Sequence, residues 1–445
     1  MATITPHFIF LSSIAILLLA MAPLSLSLFR RSFNPGLPSG EFRRQWKNPG
    51  DVFSVLLILG GDVILRALAQ LSGSGITPVA FSFGWVAYAI TAVVSAIGEN
   101  KLMPLPDCAC KVINGKSGYV RDNTSWVIGR IVRDFEAWVD QPVKEHLSGM
   151  IQTRWEQNKK AFGQDTSKPP QAGLCVSVYK AEPAIIGYPG YDLVYWIGFA
   201  TTIIQLGIAA IPCGLFGDWG ILLVTVIGIL LSFASGWLPQ WKEEKWACRK
   251  SSDKNVILTR GNGSQHAIVI LGDGKGLDLE DLAAGQTNVD VSTSTLTRVS
   301  VTILAALWIL LLITAAGLQK NTWFLLAIGG IGILQNIFVA GWRRPPKAYG
   351  VRLAYVEVIG KTKVMETLFA VEEKYPYIGA SMKDTFFPGK LRADEIQKWT
   401  DLEKAAKAKD DAARNARNNA SQQNGGSQPI QNPSQAGVVS STPAT

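Results

Sequence analysis

Two apolar runs, 193–214 and 220–238, stand five residues apart, joined only by 215–219 (Leu-Phe-Gly-Asp-Trp). Each is long enough to cross a hydrocarbon core about 30 Å thick as a helix, which takes about 20 residues. So short a joint turns the second run straight back, and the pair reads as a transmembrane helical hairpin. Tyr191, Tyr195 and Trp196 flank one far end, Trp237 and Trp241 the other. Such amphipathic rings belong at the headgroup level. Lipid offers no water to unpaired backbone groups, so a chain built on this hairpin must be helical wherever it meets lipid.

The pattern occurs twice more. Runs 52–71 and 76–97 are joined by Ser72-Gly-Ser-Gly75, and runs 299–318 and 322–342 by Gln319-Lys320-Asn321. An earlier apolar run, 7–29, has no Lys or Arg before it, whereas a secretory signal has a basic start. Its basic residues come afterwards, at Arg30, Arg31, Arg43, Arg44 and Lys47. That bias favours an uncleaved first span over a cleaved signal sequence. The fold class is an α-helical polytopic membrane protein with seven transmembrane helices, one N-terminal span plus three helical hairpins. Its segments are a first span at 7–29, hairpins at 52–97, 192–240 and 298–342, cytosolic segments at 98–191, 241–297 and 343–420, and a disordered tail at 421–445.

Charge fixes an orientation. The chain is 48% hydrophobic and 17% charged, with a net charge of +9. Residues 30–50 hold five basic and one acidic residue, and 342–445 hold sixteen and eleven; the other 22 basic and 22 acidic residues cancel. The three hairpin turns carry only Lys320 and Asp218. By the positive-inside rule the N-terminus is outside or lumenal and every long segment, with the C-terminus, is cytosolic. No Lys/Arg stripe interleaves with aromatics, which argues against nucleic acid as a partner.

The cytosolic segments carry alternating runs at 111–113, 119–121, 174–179, 256–259, 267–271 and 351–359, and helical patterns at 126–160, 362–374 and 393–416. No segment alone is large enough to bury a core. The expectation is one small mixed α/β domain assembled from all of them beneath the membrane.

Run 52–71 contains Asp62, Arg66 and Gln70 at i, i+4 and i+8, along one helix face. Twelve apolar residues give about −5 kcal/mol of insertion energy, and an Asp and an Arg cost about as much, so this run inserts together with the next. With Gln205, Gln335 and Asn336 on other spans, these residues form a possible intramembrane polar site. It is either a solute or ion pathway, or an ion pair buried in the bundle. Gly228, Ser232 and Gly236, four apart, permit close helix packing or a dimer face. The spans lack kinking prolines, Pro212 near a turn being the clear exception.

Other motifs carry little chemistry. Gly272-Asp-Gly-Lys-Gly276 matches neither nucleotide fingerprint, and Asp278, Glu280 and Asp281 behind it would repel a phosphate. Cys108 and Cys110, with Cys175, Cys248, His146 or His266, lack the paired spacing of a zinc site. Hydrolase signatures are absent and only three histidines are present. The expectation is no enzyme, no cofactor and no metal. Asn123, Asn262 and Asn419 stand in glycosylation sequons that would stay unmodified in the cytosol.

Residues 374–382 (Lys-Tyr-Pro-Tyr-Ile-Gly-Ala-Ser-Met), 386–395 (Phe-Phe-Pro-Gly-Lys-Leu-Arg-Ala-Asp-Glu) and 118–126 (Gly-Tyr-Val-Arg-Asp-Asn-Thr-Ser-Trp) resemble segments of multi-pass membrane proteins of filamentous fungi. That family carries no assigned activity. The resemblance implies a eukaryotic endomembrane or plasma-membrane setting and no mechanism. Taken together, the sequence suggests a membrane scaffold, adaptor or regulator whose partners are the bilayer and cytosolic proteins. A transporter or channel built on Asp62 and Arg66 is the alternative, and a heptahelical receptor the third reading.

Overall fold

The computed structural model describes residues 60–287 and 291–424. The expected first span at 7–29, the beginning of the 52–97 segment and residues 425–445 of the expected 421–445 tail lie outside them, whereas 421–424, expected in that tail, continue the last helix. In chain order the helices are α1 (Gly61–Leu71), α2 (Gly84–Val94, widened into a π turn over Ser95–Glu99), α3 (Trp126–Arg133), α4 (Phe135–Trp138), α5 (Gln141–Phe162), α6 (Leu193–Phe216), α7 (Gly220–Gly236), α8 (Pro239–Lys245), α9 (Leu279–Ala284), α10 (Thr295–Ala316), α11 (Thr322–Gly341), α12 (Val364–Lys374), α13 (Ile378–Phe386) and α14 (Ala393–Asn424). The strands are β1 (Lys111–Asn114), β2 (Val120–Asp122), β3 (Leu174–Ala181), β4 (Val256–Thr259), β5 (His266–Leu271) and β6 (Leu353–Lys361).

Among the described residues four helical stretches are long and apolar enough to cross a membrane: α6, α7 continued through α8, α10 and α11. They form the two later hairpins. Asp192 caps α6 by accepting the Tyr195 N–H, and Gly217 ends it in the left-handed region (φ 68°), where glycine meets no Cβ penalty. Ser294 caps α10 through the Thr297 N–H. The two turns meet at one end of the bundle, where the Asn321 amide donates to Asp218 at 3.1 Å. Ile203, Ile204, Leu230, Ile303, Leu310 and Ile313 are exposed on the outer faces. Apolar surface of that kind suits lipid rather than water, so the chain is a membrane-embedded helical protein.

Between residues 72 and 99 the chain departs from the expected full-length span at 76–97. Helix α1 has 11 residues and α2 has 11 before its π turn. Residues 72–83 between them form neither helix nor strand. The Ser72–Gly75 turn, expected outside beside the other two, lies at the opposite end: the Ser74 N–H donates to the Gly187 carbonyl at 2.6 Å. From there the segment rises into the bundle. The Tyr195 hydroxyl holds the Ile76 carbonyl, Thr77 donates to the Gly236 carbonyl, and Gln205, midway along α6, donates to the Phe81 carbonyl. Helix α2 then returns to the end it came from. The segment is re-entrant, and the expected third span does not form. Pro78 has no N–H to give a helix and holds the residue before it extended.

Glycine makes room for this buried segment. A Cβ on Gly198 would fall on the Pro78 carbonyl, and one on Gly332 on the Phe81 carbonyl. Gly228 and Gly329 lie against the Phe81 and Phe83 rings, and Gly236 against Thr77. The Gly228–Gly236 stripe thus packs inside the bundle. Phe81 and Trp85 both stack on Trp308, at 6.2 and 5.3 Å.

The strands from all three loop segments do meet, as one six-stranded mixed sheet in the order β2-β1-β4-β5-β3-β6. Only β3–β5 is parallel, with Cys175 opposite His266; the other pairs are antiparallel, and β3–β6 shifts register between Val178 and Tyr179. Successive β3 residues face opposite sides. Leu174, Val176 and Val178 pack with α12, α13 and Trp399 of α14. Cys175 and Tyr179 join a second core that runs without a break into the bundle through Trp126, Trp241 and Tyr349. The helical pattern at 126–160 is broken into α3, α4 and α5, with Pro142 in the first turn of α5.

Candidate functional site at the junction of bundle and sheet

The six polar residues singled out from the sequence separate into three groups. Gln205, Gln335 and Asn336 surround the re-entrant segment. The Gln205 Nε2 donates to the carbonyls of Phe81 (2.7 Å) and Ile328 (2.8 Å); Gln335 Oε1 accepts the Ala80 N–H (3.3 Å); Asn336 Nδ2 donates to the Ala80 carbonyl (3.1 Å) and the Ser82 hydroxyl (3.4 Å). These amides do for this segment what a helix does for itself, satisfying backbone groups that lipid cannot. The remaining amide atoms, Gln205 Oε1, Gln335 Nε2 and Asn336 Oδ1, are buried with no partner among the described residues.

Asp62 and Arg66 pair one turn apart at 2.8 Å, with side chains 68% and 42% exposed, and Arg66 reaches Asp107 at 3.7 Å. They do not face the bundle amides. Gln70 lies elsewhere again, fully buried, donating to the Trp342 carbonyl and accepting the Tyr349 hydroxyl at 3.0 Å.

Gln70 opens onto a cluster of buried cations where bundle and sheet join. Arg344, Lys245 and Arg130 are each no more than 1% exposed. Arg344 grips both Asp192 oxygens (2.8 and 3.0 Å) and donates to the carbonyls of Gln70, Pro189 and Gly190. Lys245 Nζ donates to the Ser72 (2.8 Å) and Gln70 (3.2 Å) carbonyls, with no carboxylate partner among the described residues. Arg130 stacks on Trp126 at 4.6 Å, donates to the Ala340 carbonyl and lies 3.2 Å from Asp107. Burial pulls the Arg130 guanidinium below its ordinary range and pushes the Tyr349 phenol up to about 12. Arg344 and Lys245 thus tie the span ends to one another and to the chain around residues 70–72, and Arg130 ties α3 to the end of α11.

In the sequence Lys245 and Arg344 stand only as basic residues just after the second and third hairpins, where the positive-inside rule reads them as marking the cytosolic side. The missed signal is position: Lys245 lies between Glu244 and Trp246, and Arg344 lies two residues after Trp342 and directly before two prolines. Charges anchored among aromatics are candidates for burial rather than for a solvated flank.

The discounted motifs have occupied geometries. Asp278 caps α9 by accepting the Glu280 and Asp281 N–H groups, and its carboxylate meets Arg249 (2.9 Å) and Lys254 (3.1 Å), which leaves no cradle for a phosphate. The five cysteines are free, and burial raises the thiols of Cys110, Cys175 and Cys248 to about 12, away from metal-binding thiolate.

Open space is found around the sheet. One cavity of about 320 Å³ lies between α3–α4 and the β4–β5 turn, lined by Phe135, Arg260 and His266 among others. Another of about 560 Å³ opens between the β3 end, the α6 entry and the chain leaving α11. Comparison with protein-family models, with curated proteins and with solved structures found no match.

Proposed function

We propose that this chain is a non-catalytic membrane scaffold or adaptor, in which a helical bundle holds a rigid α/β domain against the cytosolic face for soluble partners. The observation that carries this reading is where the polar groups go. Gln205, Gln335 and Asn336 hold the re-entrant backbone, Lys245 and Arg344 tie the span ends to one another and to that segment, and Arg130 ties α3 to the end of α11. Sheet and bundle share one apolar core, which supports a fixed platform rather than hinged modules. The finer topology, with the N-terminus outside and seven spans reduced here by the re-entrant segment, belongs to the same proposal.

One observation favours a second reading. Non-helical backbone at bundle depth occurs where it is buried in protein or lines a pathway, and transporters use it for ion sites. Three unpartnered amide atoms beside residues 80–82 fit a small ion or water there. Affinity purification of the full chain from membranes in mild detergent separates the two. A stoichiometric soluble partner supports the scaffold. A chain that purifies alone, and whose thermal stability rises with an added inorganic cation, supports transport and sinks the first reading.

A further inference from the structure

The 560 Å³ cavity sits at the height of the span ends. Asp192 in its wall is the N-cap of α6, and Pro345, Lys347 and Ala348 belong to the turn that follows α11. Both helices are membrane-length, so the cavity opens where headgroups meet water. A run of aromatic contacts leads from it along α6: Tyr188 to Tyr191 at 5.5 Å, Tyr191 to Tyr195 at 5.0 Å, Tyr195 to Trp196 at 5.6 Å. Tyr191 and Trp196 are half exposed there, as interfacial rings are.

The charges of the lining are unevenly satisfied. Asp192 is neutralised by Arg344 behind it. Lys347 and Arg352 are exposed and form no side-chain hydrogen bond or ion pair among the described residues. Glu182 is exposed as well; its N–H donates to the Arg352 carbonyl at 3.0 Å, which sets the two residues opposite each other at the end of the β3–β6 ladder without pairing their side chains. Two free cations and one free carboxylate therefore surround a pocket with an aromatic wall on its lipid side.

We propose that this cavity binds the headgroup of an anionic phospholipid. The phosphate lies between Lys347 and Arg352, and the glycerol and upper acyl chains run along Tyr191 and Trp196. An amine in the headgroup, as in phosphatidylserine, meets Glu182. The site holds whether the chain acts as scaffold or as transporter, since it lies outside the bundle.

The test uses the purified full chain in detergent, supplied with phosphatidylserine, phosphatidic acid or phosphatidylcholine, with retained lipid read by native mass spectrometry. The wild type is expected to retain the anionic lipids about tenfold or more over phosphatidylcholine, the scale two interfacial cations supply. The double variant Lys347→Ala, Arg352→Ala loses that preference while keeping its lipid-free melting temperature, because both side chains are exposed. Lys320→Ala, at the opposite end of the bundle, keeps it. Equal retention of phosphatidylcholine, an unchanged preference in the double variant, or an equal loss in Lys320→Ala would overturn the site. So would displacement of the lipid by glycerol phosphate at equal concentration, which would identify a soluble phosphate ligand instead.

Discussion

Glu244 and Lys245 are neighbours in the chain, and each holds one end of the same re-entrant segment. Glu244 accepts the N–H groups of Leu102 (2.9 Å) and Met103 (2.7 Å), while Lys245 donates to the Ser72 carbonyl (2.8 Å). The segment enters and leaves the bundle past consecutive residues at the end of α8, which acts as a clasp.

Opening one side of that clasp orphans buried amides. Glu244→Ala should cost about 1–3 kcal/mol for each N–H left without an acceptor, and Glu244→Gln, which keeps a carbonyl, distinctly less. Thermal unfolding in detergent measures the difference. Equal losses from the two variants would mean the carboxylate holds nothing.

The segment's tight lodging predicts a contrast between glycines. Gly332→Ala places a methyl on the Phe81 carbonyl, a backbone atom with nowhere to go, and overpacking of that kind costs about 1–3 kcal/mol. Gly207→Ala, on α6 with nothing within 4 Å, should be neutral or slightly stabilising. Melting temperatures that fall alike would contradict the lodging.

Two aspartates on arginines should behave differently. Asp192→Ala strips the fully buried Arg344 of its counter-ion, at about 2–3 kcal/mol; the loss stays below the about 3–5 of a fully buried pair because three carbonyls still accept from Arg344. Asp62→Ala removes an exposed pair and should cost less than about 1 kcal/mol. Denaturation midpoints and expression level in membranes check both. Loss of a measured ion flux in Asp62→Ala, with stability kept, would count against the scaffold reading.

His266 makes the sheet acid-sensitive. Burial holds its imidazole below the ordinary 6.5, with Glu136 opposing and Arg260 reinforcing. The depressed value means the folded state favours the neutral ring, so its contribution is complete above pH 6.5 and is lost as pH falls below that through the folded value. The melting temperature should therefore drop more steeply between pH 7 and 5 in the wild type than in His266→Gln. Parallel curves would remove His266 from the account.

Much of this architecture can be read in the chain, and the exception is instructive. Local signals suffice for α6, α7, α10 and α11, because a long apolar run has one solution in lipid, and caps such as Asp192 and Ser294 mark where it begins. The strands show their period of two, and their shortness forces them together. The re-entrant segment is different. Its hydropathy suits a helix or a buried strand equally, and only Pro78 hints at which; its decisive partners, Gln205 and Asn336, lie 124 and 256 positions away. The same distance hid the role of the polar residues. Spacing alone groups Asp62 with Gln70, whereas the fold turns one outward and buries the other against Tyr349.

That separation sets an order of assembly. The backbone at residues 80–82 is synthesised long before Asn336, the residue that completes its Ala80 carbonyl. Until α11 arrives, residues 72–83 have no finished place in the bilayer, and the early part of the protein must wait for the late part. Biogenesis of this chain therefore ends with the docking of its last hairpin, and shortening the chain before Thr322 should leave its first half unfinished rather than independently folded.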